Sequence, residues 1–123
     1  MVKISNRLMT AAALVTQGYT LADVGTDHGY IPIYLLQQKK IPAAIAMDIN
    51  EGPLERAKEH IALYGLQAYI QTRLSDGVAA LKPGEVEAVL IAGMGGGLVM
   101  HILKYNKVIT TKAVVAKIEE VYA

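Results

Sequence analysis

The chain has 123 residues, 53% hydrophobic and 19% charged, with a formal net charge of +1. That composition supports a packed core and excludes a disordered or strongly basic chain. It has no cysteine, which excludes disulfides and thiolate metal sites, and no apolar run approaches the ~18 residues of a membrane span.

In chain order, Ser5 is placed to cap a helix over residues 6–17, with Leu8, Ala11, Ala12 and Val15 along one face and Gly18 as its stop. The mixed N-terminus reads as this helix, not as a signal peptide. Residues 20–25 (TLADVG) read as a buried strand, and 29–39 as a helix with Pro32 in its first turn. A second apolar run, 43–49, ends on Asp48 and Ile49. A helix over 51–64 follows, with Pro53 early and Gly65 as its stop. Residues 68–74 alternate as a third strand. A short helix is predicted over 77–82, then a Pro83-Gly84 turn, a fourth strand over 87–92 and a last helix over 97–104.

Strands alternating with helices predict an α/β fold with a mostly parallel sheet and helices on both faces. Ligands in such sheets bind beyond the carboxyl ends of the strands. Every unusual stretch lies at such an end: GTDHG, DIN, SDG and GMGGG.

The first of these, within LADVGTDHGY, runs Asp23, Gly25, Thr26, Asp27, His28, Gly29. Neither the G-x-G-x-x-G fingerprint nor a P-loop is present. The spacing matches the acid-x-G-x-G-x-G turn of class I methyltransferases, with Asp27 in place of the second glycine; the alternative is a tight turn that holds no ligand. Asp48 follows at close to the roughly 20 residues expected of a ribose-binding acid. NAD would satisfy it as well as S-adenosylmethionine, and capping of the next helix is the structural alternative. In Ser75-Asp76-Gly77, Asp76 can accept from an adenine amino group, or the three can form an ordinary Asp-Gly turn. The fourth strand ends at Ala92, and after it Gly93, Met94 and the glycines at 95–97 form a closely approachable wall or a loose turn. His28, His60 and His101 lack metal-ligand spacing, so no metal is expected. Lys3, Arg7, Lys39 and Lys40 can contact phosphates or form a solvated face.

Together ISNRLMTAAALV, LADVGTDHGYIPIYLL, AIAMDINEGPLERAKEHI, RLSDGVAAL and VLIAGMGGGLVMHIL resemble the TrmK family, bacterial tRNA (adenine-N1)-methyltransferases acting on adenosine 22. The resemblance runs through residues 3–103. It implies a Rossmann-like class I methyltransferase fold, S-adenosylmethionine as cofactor, tRNA as substrate and a cytoplasmic, bacterial enzyme. It carries Asp23, Gly25, Thr26, Asp27 and Gly29 to the cofactor's methionine end. Asp48 goes to the ribose and Asp76 to the adenine, with Ile49, Ser75 and Gly77 beside them in the cofactor site. Ala92, Gly93 and Met94 border the cofactor, and Asp27, His28, Gly93 and Met94 stand nearest the transferred methyl. Asp27 can face either the target's amino group or the cofactor's ammonium.

Adenine N1 carries an in-plane lone pair, so in-line positioning suffices and no general base is needed. The (N/D)-P-P-(Y/F) loop of many exocyclic-amine methyltransferases is absent after the fourth strand, which favours a ring nitrogen. A non-catalytic S-adenosylmethionine-binding module and a small NAD-binding domain are the competing readings. The tail departs from the family: ITTKAVVA and EEVYA read as a closing antiparallel hairpin, which leaves the fifth strand missing. The whole of 1–123 is thus expected to be one incomplete, monomeric methyltransferase domain without the family's coiled-coil domain.

Overall fold

The computed structural model describes residues 1–94 and 113–118. Its elements are α1 (Asn6–Ala13), β1 (Leu21–Val24), α2 (Tyr30–Gln37), β2 (Ala44–Asp48), α3 (Glu51–Leu63), β3 (Ile70–Leu74), β4 (Ala88–Met94) and β5 (Ala113–Ile118). The strands form one sheet in the order β3-β2-β1-β4-β5. Each neighbouring pair is parallel. The order reverses between β1 and β4, which is where an open α/β sheet leaves a crevice at its carboxyl edge.

Strand alternation divides the core. Leu21, Ala44, Ala46, Ile70, Ala88 and Leu90 face one side and pack with Leu8 and Ala11 of α1, Ile31, Ile33 and Leu35 of α2, and Ala57 and Ile61 of α3. Ala22, Val24, Ile45, Met47, Val89 and Ile91 face the other side. Val78, Leu81 and Val86 cover that second face from the β3–β4 connection. Burial on both faces explains why β1, β2 and β4 are nearly continuous apolar runs.

The local signals at helix ends act as expected. Ser5 Oγ accepts from the Leu8 amide at 3.2 Å, and Gly65 adopts φ +68 just after α3. However, α1 stops at Ala13 rather than 17. Leu14 and Val15 tighten into 3₁₀-type bonds to Ala11 and Ala12, and Lys40 Nζ donates to the carbonyls of Ala12 and Ala13. A side chain 27 residues away thus caps the helix early. The predicted helix over 77–82 is a pair of successive turns, with Ala79 N–H on Asp76 and Leu81 N–H on Val78. The predicted helix over 97–104 lies outside the described residues.

The tail corrects the hairpin expectation. Ala113–Ile118 lies parallel to β4, with Ala88 opposite Ala113 and Ile91 opposite Ala116. It is the fifth strand that had been expected to be missing. An apolar run such as AVVA suits a parallel strand as well as a hairpin arm, and the chain between β4 and β5 is long enough for a crossover. The hairpin's second arm, 119–123, lies outside the described residues. Among the described residues no helix is long and apolar enough to cross a membrane.

Candidate functional site at the carboxyl edge of the sheet

The parallel register brings the ends of β1, β2 and β3 to one edge, where the predicted loops meet. Gly25 turns the chain out of β1 with φ +75. The amides of Gly25 and Thr26 both donate to the Met47 carbonyl, at 2.9 and 2.8 Å, which ties this loop to the end of β2. Gly29, with φ +69, is the N-cap of α2, and a Cβ there would meet Ala57, Ile33 and Ile61 side chains at 3.6 Å. That is ordinary contact, so glycine is favoured here by its dihedral and not by space.

Asp23 stands within β1 and is only 3% exposed. Thr26 Oγ1 donates to its Oδ2 at 2.9 Å. Burial drives its pKa up to about 7, the Thr26 bond opposes that, and the carboxylates of Asp27 and Asp48 push it further up. Three acids therefore crowd the ends of the first two strands, and the innermost is held near neutrality of charge. Such a place favours a cationic group.

Asp27 is half-exposed, and its Oδ1 lies 2.7 Å from His28 Nδ1. His28 takes φ +55, a left-handed conformation for a residue with a Cβ. Its carbonyl accepts from His60 Nδ1 at 2.9 Å. Asp48 is partly buried at the end of β2, and its Oδ1 accepts from the Asn50 amide at 2.9 Å. The N-cap of α3 is Asn50, so Asp48 is not the helix cap. Ile49 beside it is 59% exposed, an apolar side chain held open at this edge.

The third loop is braced from within. The Ser75 amide donates to the Asp48 carbonyl at 2.9 Å. Ser75 Oγ donates to the Gly77 carbonyl and accepts from the Ala80 amide. Ser75 is buried, so its hydroxyl shapes the turn. Gly77, at φ +58, completes the turn. The Asp76 carboxylate is exposed and makes no hydrogen bond or ion pair among the described residues.

Arg73 and Glu85 support this loop, and sequence reasoning missed both. The Arg73 guanidinium donates to both Glu85 oxygens at 2.7 Å and to the Ala80 carbonyl at 3.0 Å. Those bonds hold the Glu85 carboxyl down to about 2, the Lys82 amide adding to them. Nothing in the spacing of the two residues announces the pair, because it forms across a folded loop.

Ala92, Gly93 and Met94 prove to be strand, where a loop was predicted from 93. β4 runs to Met94, with a register shift against β5 between Ala92 and Met94. A bulge of this kind re-aims a strand end and recurs beside functional sites. Gly95, Gly96, Gly97 and His101 lie outside the described residues. Among the described residues no cluster of His, Asp or Glu could hold a metal ion.

Comparison with known proteins gives this edge a context. A family model described as a methyltransferase domain matches residues 4–120. The chain is 43% identical over 105 residues to the tRNA (adenine(22)-N(1))-methyltransferase of Bacillus subtilis strain 168, covering 85% of this chain and 44% of that protein. The crystal structure of the B. subtilis m1A22 tRNA methyltransferase TrmK superposes with a TM-score of 0.89 at 40% identity, covering 94% of this chain and 50% of that one. M. capricolum TrmK in complex with S-adenosyl-homocysteine superposes with a TM-score of 0.79 at 39% identity, covering 86% and 49%. The chain spans about half the length of these relatives.

Proposed function

The chain belongs to the family of methyltransferase domains, and on that premise we propose that it transfers a methyl group from S-adenosylmethionine to N1 of an adenosine in tRNA, in the bacterial cytoplasm. The observation that carries this reading is the acidic carboxyl edge formed by Asp23, Asp27 and Asp48, in a chain so similar to a tRNA (adenine(22)-N(1))-methyltransferase.

The residues present fit the cofactor. The cofactor, when bound, supplies an electrophilic methyl on a sulfonium, with an ammonium group beside it. A neutral or cation-repelling edge would reject such a molecule, whereas three neighbouring carboxylates favour it. Asp48 offers its second oxygen to the ribose hydroxyls, while Oδ1 stays engaged by Asn50. Asp76 offers an unpaired acceptor to the adenine amino group, and Ile49 an apolar surface to the ring. Gly25 and Gly29, both left-handed, set the turn that carries this loop. Thr26 and Ser75 act as positioning residues, since both hydroxyls are already used within the protein.

The buried Asp23 is assigned to the cofactor side and the half-exposed Asp27, with His28, to the RNA side. Ala92, Gly93 and Met94 border the point of transfer. The adenine N1 lone pair attacks the methyl carbon as the carbon–sulfur bond breaks, and the adenine becomes cationic. Asp27 stabilises that charge through its free oxygen. No proton has to leave first, so the residues need only position the base and exclude water.

Two measurements test the reading. Calorimetry should find binding of S-adenosylmethionine and none of NAD; binding of NAD alone would overturn it. Labelled methyl should pass from the cofactor to an unmodified tRNA transcript. A protein that binds the cofactor and labels no tRNA is a binding module instead.

A further inference from the structure

Beside the candidate site, on the helical face, lies a second feature. A hollow of about 400 Å³ is lined by His28, Tyr30, Arg56, Glu59, His60 and Leu63. That is within the size range of small-molecule sites. Three of its lining residues, His28, Tyr30 and His60, carry rings. The His28 and Tyr30 rings stack at 5.2 Å, Tyr30 meets His60 edge-on at 5.0 Å, and His60 meets Tyr64 edge-on at 5.2 Å. Four rings therefore run from the first loop along α3.

The polar groups of the lining are His28, His60, Arg56 and the exposed carboxylate of Glu59. A carbonyl can only accept, so the bond from His60 to His28 puts the proton on Nδ1 and leaves Nε2 of the neutral ring as an acceptor. Arg56 is exposed and makes no hydrogen bond or ion pair among the described residues. Leu63 is 75% exposed at the rim. A staple between two helices would need Tyr30 and His60 only. It would not need a bare guanidinium or an open leucine.

We infer that this hollow binds an unpaired nucleotide of the RNA substrate that flanks the methylated one. Its base would lie against the Tyr30–His60 wall and its phosphate on Arg56. Stacking on aromatic side chains, with a cation for the backbone, is how proteins hold single-stranded bases. The guest is not the reacting base. α3 packs on β2 and β3, whereas the proposed transfer point is at the end of β4, on the far side of β1. His28 belongs to both places, so a nucleotide seated here would fix the left-handed loop next to the reacting base. The inference rests on the tRNA reading above.

The test uses the intact protein and an unmodified tRNA transcript. Histidine-selective NMR follows the ring of His60 while RNA is added. Binding is then measured against salt for wild type, Arg56→Gln and His60→Asn; the asparagine keeps a donor toward the His28 carbonyl and removes the ring. The expected results are a shifted His60 resonance, tRNA binding weaker by about tenfold in each variant, and a salt slope shallower by about 0.7–0.9 in Arg56→Gln only. Affinity for S-adenosyl-homocysteine should be unchanged in Arg56→Gln. If tRNA binds with His60 unshifted and Arg56→Gln behaves as wild type, the hollow is overturned and the tRNA reading stands. Parallel loss of S-adenosyl-homocysteine affinity in Arg56→Gln also overturns it, as the hollow would then serve the cofactor. A protein that binds S-adenosyl-homocysteine but no tRNA overturns both.

Discussion

The loops after β1 and β3 both carry acids to the same edge, yet they treat charge in opposite ways. Near the end of β1, Asp23 is buried with one hydroxyl partner and two neighbouring carboxylates, and its pKa rises to about 7. In the β3 loop, Glu85 is gripped by Arg73 at two points and its pKa falls to about 2. The second loop satisfies its charge internally and leaves Asp76 free above a fixed frame. The first loop leaves its charge unsatisfied, which is useful only if something cationic arrives. On the proposed reading, the first meets the cofactor's cationic end and the second presents Asp76 from a fixed frame.

The largest expected effect breaks the first half of this contrast. Below about 3.8 the Asp23 carboxyl is protonated in folded and unfolded chains alike, and costs nothing. As pH rises from there to about 7, the unfolded chain ionises while the folded one holds its proton, so stability is lost across that window. Asp23→Asn should therefore be more stable than wild type at pH 8, by up to about 4 kcal/mol for a shift of this size, with the gap closing toward pH 4. Urea denaturation at several pH values reads it. A constant gap would mean that Asp23 is solvated. The same variant should bind S-adenosylmethionine more weakly.

Arg73→Met tests the other half. It leaves Glu85 partly buried with only the Lys82 amide, and should destabilise by about 2–3 kcal/mol, the range for hydrogen bonds to charged groups. Glu85 has a lowered pKa, so its contribution is complete above about 4.5 and is lost as pH falls toward about 2. The gap between Arg73→Met and wild type should therefore be flat from pH 5 to 8 and close in acid. A gap that varied near neutrality would assign the effect to another group. Since the pair frames the turn that carries Asp76, cofactor affinity should fall as well.

Asp48→Ala sharpens the comparison at the strand between them. It should weaken binding of S-adenosylmethionine by about 1–3 kcal/mol, because the ribose hydroxyls lose a charged acceptor. Calorimetry on the folded variant checks it, and unchanged affinity would remove Asp48 from the site. The local loss is only the bond to the Asn50 amide, so stability should change little.

These contrasts also mark what the chain's own order of residues could reveal. The acids after β1, β2 and β3 were legible because each stands at or just beyond the end of a predicted strand. Ser5 and Gly65 were legible because caps act over three or four residues. The raised pKa of Asp23 was not, since it comes chiefly from the burial of its carboxyl in the folded sheet, with Asp27 and Asp48 adding to it. The Arg73–Glu85 pair and the Lys40 cap on α1 were hidden for the same reason: each joins segments that only the fold brings together. ITTKAVVA was assigned to a hairpin arm because a strand's apolar pattern does not state its direction. β4 reaches Met94 because pairing with β5 outweighs the low strand propensity of Gly93.

The smallest effect compares the two ends of α2, each flanked by a left-handed residue that is not glycine: His28 with φ +55 and Lys39 with φ +56. Lys39 is exposed and follows the Gln38 C-cap, where glycine is the usual solution. Lys39→Gly should therefore relieve strain and stabilise by about 0.5–1 kcal/mol. His28→Gly relieves the same dihedral. But it removes the stack on Tyr30 and the partner of Asp27, so the gain should be cancelled and tRNA binding should fall. Thermal melts and RNA titrations on the two variants separate these outcomes. If both substitutions stabilise equally and RNA affinity holds, the left-handed histidine is an accident of the turn. If only Lys39→Gly stabilises, the strain at His28 is held in place by its ring contacts, as strained residues at functional sites are.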